Sequence, residues 1–123
     1  MPILETYLSA CLVGLVVEII ARTGRLWIYR KPINPVINIL IMFGLVMGGL
    51  SLAAQILGHI PVLLIAAAIG YGYELLNFSV LEWWDFPGDR FFIFEGRQAC
   101  ALSVGALWGG VPLITQYLSH LIF

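Results

Sequence analysis

From Ile33 to Tyr73 the chain contains no Asp, Glu, Lys or Arg. That stretch is about twice the roughly 20 apolar residues one bilayer-crossing helix needs. Its only break signal is Gly58-His59-Ile60-Pro61, so it predicts two helices joined by a tight turn. A second uncharged run extends from Gln98 to Phe123, and Ile3 to Ala21 is an apolar run interrupted only by Glu5 and Glu18. Four spans follow, near 3–21, 34–57, 60–80 and 98–121. Composition agrees: 61% of the 123 residues are hydrophobic and 11% are charged, against about 25% charged in soluble domains. The expected fold is all-α, a single polytopic transmembrane domain over 1–123 with four helices and loops at 22–33 and 81–97.

All six basic residues lie in those two loops: Arg22, Arg25, Arg30 and Lys31 in the first, Arg90 and Arg97 in the second. The positive-inside rule makes both loops cytoplasmic and places both termini outside, in a multi-pass protein of the cell inner membrane. The chain has no basic stripe to release counterions from phosphates, so nucleic acid is not an expected partner. Cys100 opens the fourth span on the cytoplasmic side while Cys11 lies within the first, so the two are expected at different depths, which argues against a disulfide, and neither has neighbours at metal-ligand spacing. No metal or cofactor is expected. His59 and His120 sit at outer span ends and read as wetted interfacial residues.

The two halves repeat an order of features. Gly14 and Glu18, then Trp27, Tyr29 and Pro32, then Gly44, Gly48 and Gly49 recur as Gly70 and Glu74, then Trp83, Phe86 and Pro87, then Gly105, Gly109 and Gly110. The pattern predicts a tandem repeat of two helical hairpins, about 3–57 and about 60–121. Each unit holds two spans, so a pseudo-twofold along the membrane normal is expected, with Glu18 and Glu74 at matching depths. Gly44, Gly48, Gly105 and Gly109 form small-xxx-small faces suited to close helix packing.

An acid within a span costs about 2.5–3.5 kcal/mol at the helix centre and usually faces the bundle interior. Glu18 has Arg22 at i+4, so an interfacial ion pair competes with a functional role. Glu74 lies roughly 9 Å from its span end and has no base at i+3 or i+4. Asn77 shares its face. The segment from Leu81 to Arg97 mixes aromatic and charged residues; aromatic-belt anchoring accounts for the rings but not for the charges. It reads either as a solvated loop or as an interfacial segment folded over the cytoplasmic mouth with internal ion pairs. The candidate polar cavity is therefore Glu18, Glu74, Trp83, Asp85 and Arg97, supported by Asn77, Trp27 and Tyr29.

Glu74, Trp83-Trp84-Asp85-Phe86, Gly96-Arg97-Gln98-Ala99-Cys100, Ser103 and Trp108-Gly109 together resemble the ABC-transporter type IV family of small bacterial membrane proteins. The likeness covers about residues 70–110; Phe86 stands where that family has tyrosine, and the spacing from Ser103 to Trp108 differs. It implies a permease component or a handler of lipids or small metabolites. The small multidrug resistance family is a more distant likeness, through Glu18, Ala54-Gln55 and Ile60-Pro61. Neither P-loop nor nucleophile motif is present in the sequence, so an ATP-driven role requires a separate ATPase subunit. Three readings result: a homo-oligomeric transport component, a membrane enzyme acting on lipid headgroups, and a structural membrane protein.

Overall fold

The computed structural model describes residues 3–123. Four helices are long and apolar enough to cross a membrane: α1 (Ile3–Thr23), α2 (Pro35–Leu57), α3 (His59–Leu81) and α4 (Arg97–Ile122). These are the four charge-poor segments. The start of α2 is set locally, because the Asn34 side chain accepts from Val36 N at 2.9 Å and Ile37 N at 3.4 Å while Pro35 occupies the first turn. Gly58 alone separates α2 from α3, at φ +95°. A side chain there would be strained, whereas glycine reverses the chain in one residue.

Neither α2 nor α3 is uniformly α-helical. Ile39–Met47 in α2 and Asn77–Leu81 at the end of α3 follow the wider i→i+5 pattern. Such widened turns are rare and concentrate at functional sites. The α3 stretch ends with Glu82 in the left-handed region, its N–H bonded to Asn77 O at 2.7 Å.

Packing follows the glycines. α3 and α4 share the most extensive interface. A Cβ on Gly109 would stand 2.6 Å from the Leu63 carbonyl oxygen, and one on Gly105 would stand 2.8 Å from Tyr71 N. Backbone meets backbone there, the close approach that small-residue faces permit. On the other side α1 packs against α2, with the Phe43 ring over Gly14 and the Tyr7 ring over Gly44. α1 also contacts α4, and α2 contacts α3, so α1 and α3 stand diagonally across the bundle.

The two connecting segments clasp each other. β1 (Ile28–Tyr29) pairs antiparallel with β2 (Trp84–Asp85), and Arg30 N and Lys31 N both donate to Trp83 O, at 2.7 and 3.3 Å. A second short hairpin joins β3 (Arg90–Phe91) to β4 (Phe94–Glu95). Helical periodicity gives no sign of these two-residue strands. Beneath them lies an apolar cluster of Phe86, Phe91, Cys100 and Val104, with Trp27 stacked on Phe91 at a centroid distance of 6.3 Å. A second cluster, Val13, Met47 and Val111, closes the middle of the bundle among α1, α2 and α4.

Candidate functional site

The residues singled out by sequence occupy three environments. Glu18, on the last turns of α1, is 3% exposed and fully engaged. Arg22 Nε donates to Oε2 at 2.7 Å, and Tyr29 OH (2.9 Å) and Asn38 Nδ2 (2.5 Å) both donate to Oε1. The Arg22 guanidinium also lies 4.6 Å from the Tyr29 ring centroid. Burial, with the Glu18 carboxylate beside it, pushes the Tyr29 phenol up to about 12. The result is a closed knot tying α1 to the first loop and to the start of α2. Asn38 was not among the residues sequence reasoning selected; an amide one turn inside an uncharged helix was the available signal.

Asp85 and Arg97 lie elsewhere, around a surface groove of about 370 Å³ formed by the loops. Asp85 pairs with Arg30, and Arg97 reaches Asp89 at 3.6 Å. Arg90 pairs with Glu95 at 2.5 Å. Each partner in these pairs is well exposed, and such pairs contribute about 0–1 kcal/mol. They organise the loop without forming an active constellation.

Glu74 is 2% exposed, on α3. Its one hydrogen-bond donor among the described residues is Trp84 Nε1, 3.0 Å from Oε2. None of the ion pairs among the described residues includes it. It faces a cavity of about 670 Å³ between the helices, at the loop end of the bundle. Four tryptophans line that space, Trp27, Trp83, Trp84 and Trp108, and they are all the tryptophans of the chain. Tyr73 stands between three of them, with ring centroids 5.5 Å from Trp84, 5.6 Å from Trp108 and 6.4 Å from Trp83. Ile37, Ile41 and Ile114 also line the space and are exposed on the outer surface, so the cavity opens sideways between helices. Its inner end is the Val13, Met47 and Val111 cluster.

Asn77 explains how the tryptophans are held. It is fully buried, its Oδ1 accepts from Trp83 N at 2.8 Å and Trp84 N at 3.2 Å, and its Nδ2 donates to Trp84 O at 2.9 Å. One amide thus fixes the turn that swings the Trp84 indole onto Glu74, and it fixes it from the same wide-turn stretch that ends α3. The structure therefore brings Glu74, Trp83, Trp27 and Tyr29 to one cavity, with Asn77 buried behind Trp83 and Trp84 rather than in its lining, and leaves Glu18, Asp85 and Arg97 outside it.

Beyond the Val13, Met47 and Val111 layer, toward the chain termini, lie further polar groups. Thr6 and Ser9 on α1, Ser51 on α2 and Thr115 on α4 are buried, and their hydroxyls have no hydrogen-bond partner among the described residues. Gln116 Oε1 is likewise without one. No protein-family model, curated protein or solved structure matches this chain.

Proposed function

We propose that the protein is a multi-pass component of a membrane transport system, with the Glu74 cavity as its binding site. The observation that carries this reading is the cavity itself: a buried carboxylate with a single neutral donor faces an aromatic-walled space of about 670 Å³. That volume lies within the range of small-molecule sites. Acids at membrane depth usually mark substrate or ion pathways. The unpaired hydroxyls of Thr6, Ser9, Ser51 and Thr115 continue the line through the bundle on the far side of the apolar layer. Buried hydroxyls without protein partners generally hold water. A substrate cavity, an apolar constriction and a hydrated outer seam make a route with its gate at Val13, Met47 and Val111.

The positions of the bases orient this route, with both loops cytoplasmic and both termini outside. The likeness of residues 70–110 to the ABC-transporter type IV family supports the same role, with energy supplied by a separate ATPase subunit. The sideways opening supports a homo-oligomer in the inner membrane, a second copy completing the wall at Ile37, Ile41 and Ile114. Lipid-headgroup chemistry would need Glu74 to converge with Asp85 or Arg97, whose partners are instead Arg30 and Asp89.

The tandem repeat adds support from contacts. Phe43 covers Gly14 as Trp108 covers Gly70, and Tyr7 covers Gly44 as Leu63 meets Gly109. Positions 56 apart in the first helix of each hairpin thus face positions 65 apart in the second. By those offsets the equivalents of the Glu18 donors Arg22 and Asn38 are Phe78 and Ser103, and the loop residue Tyr29 recurs as Phe86. The first half seals its buried glutamate, and the second leaves it open to the cavity.

Cysteine accessibility tests the route. Ser51→Cys and Thr115→Cys should react with a small, charged, membrane-impermeant thiosulfonate applied from outside, and Ile93→Cys only after the membrane is opened. Inert cysteines at 51 and 115 would refute the outer seam, and external labelling at 93 would reverse the orientation.

A further inference from the structure

We infer that the cavity takes a hydrophobic monovalent organic cation, its charged centre beside the Glu74 carboxylate and its apolar groups among the indole and phenol rings. This rests on reading the cavity as the transport site. Three observations select the class. First, the carboxylate is 2% exposed, Trp84 Nε1 satisfies one oxygen, and Oε1 has no hydrogen bond among the described residues. A buried carboxylate needs a compensating charge or donor. Glu18 obtains three from within the chain, whereas Glu74 leaves that position to whatever enters the cavity.

Second, the wall around the carboxylate is rich in aromatic rings. Tyr73, adjacent to Glu74, packs with Trp83, Trp84 and Trp108; Trp27, Tyr29 and Phe43 add further rings to a lining otherwise mostly aliphatic. Cations within about 6 Å of such rings are attracted by the ring quadrupole, and quaternary ammonium groups are the best-known guests of aromatic cages. Third, the rest of the lining excludes the alternatives. A small hydrated ion needs several oxygen ligands, and among the described residues no group of three metal-ligating side chains occurs. An anion would meet Glu74 directly. Lys31, the basic residue in the lining, is exposed at the loop.

Because every tryptophan lines the cavity, intrinsic emission of the purified full chain in detergent reports occupancy without a label. Three probes separate charge from hydrophobicity: tetraphenylphosphonium, tetraphenylborate of similar size and opposite charge, and neutral triphenylphosphine oxide. Tetraphenylphosphonium should quench saturably and bind about tenfold or more tighter than the other two, and Glu74→Gln should remove that advantage. Glu74→Asp, which keeps the charge, should retain the preference; together with the wild-type probe series it decides the matter should the glutamine variant fail to fold. If the oxide or the borate binds as well as the phosphonium, or Glu74→Gln leaves the preference intact, the cation assignment is overturned while the binding cavity stands. If none of the three binds, the cavity reading falls with it.

Discussion

Replacing Glu18 with alanine strips the acceptor from three donors at once, and their exposures set the cost. Arg22 is 41% exposed in its side chain and regains water when the carboxylate goes, so its share is no more than about 1 kcal/mol. Tyr29 OH and Asn38 Nδ2 are partly buried donors, and each unsatisfied one costs about 1–3 kcal/mol. Glu18→Ala should therefore cost about 2–7 kcal/mol in all. Glu18→Gln keeps an acceptor oxygen for Tyr29 and Asn38 and loses chiefly the charge toward Arg22, so its cost should stay near 1 kcal/mol. Tyr29→Phe removes one donor and leaves Glu18 two others, at about 1 kcal/mol. Reversible unfolding in mixed micelles, followed by tryptophan emission and by circular dichroism, measures all three. Equal losses for Glu18→Ala and Glu18→Gln would refute the acceptor account and show that the negative charge matters more than the hydrogen bonds. A loss under about 1 kcal/mol for Glu18→Ala, near the average for a single hydrogen bond between membrane helices, would refute the knot as a stabilising unit.

The neighbouring phenol gives a pH test. Its folded-state pKa of about 12 is above the ordinary tyrosine value of 10.0, so the protonated form is favoured by folding. Stability should be intact below pH 10 and decline from 10 through 12, and Tyr29→Phe should flatten that decline in the same unfolding assay. Adjacent glycines on α4 should respond oppositely. A Cβ at Gly109 meets the Leu63 carbonyl oxygen and one at Gly110 meets nothing within 4 Å, so Gly109→Ala should destabilise by about 1–3 kcal/mol while Gly110→Ala should be neutral or stabilising by about 0.5–1 kcal/mol. Unfolding midpoints in the same micelles check the pair. Asn77→Ala should cost about 2–4 kcal/mol by orphaning the Trp83 and Trp84 amides, and should red-shift tryptophan emission. Asp85→Asn, at an exposed pair, should cost under about 1 kcal/mol; a cost for it as large as that for Asn77→Ala would mean the loop is held by charge.

How much was legible follows the range of the forces involved. The spans were written in the gaps between charges, because hydrophobic length is a local property, and the helices begin and end within two residues of the spans expected at 3–21, 34–57, 60–80 and 98–121. Close packing was legible from glycine spacing, but its register was not. Sequence order pairs Gly44 with Gly105, whereas the Tyr7 and Leu63 contacts pair Gly44 with Gly109, one helical turn later. Periodicity fixes a face, and the level along that face depends on how many residues the loops absorb. The same limit governs the glutamates. Glu18 and Glu74 share their setting in sequence, each four residues after a glycine and nine before a tryptophan. What separates them is the set of donors reaching each from other segments. For Glu18 these are Tyr29, 11 residues away, and Asn38, 20 residues away, besides Arg22 on its own helix. For Glu74 the donor is Trp84, 10 residues away and placed by the Asn77 latch. Of these, Tyr29 and Trp84 come from the two loops that clasp each other, whereas Arg22 and Asn38 come from helices. That clasp pairs residues more than 50 positions apart, Tyr29 with Trp84 and Arg30 with Asp85, beyond the reach of any helical or heptad pattern. Because the clasp carries Trp84, the one donor to Glu74 among the described residues, variants that loosen it should change the surroundings of Glu74, read by tryptophan emission, before they alter the four helices.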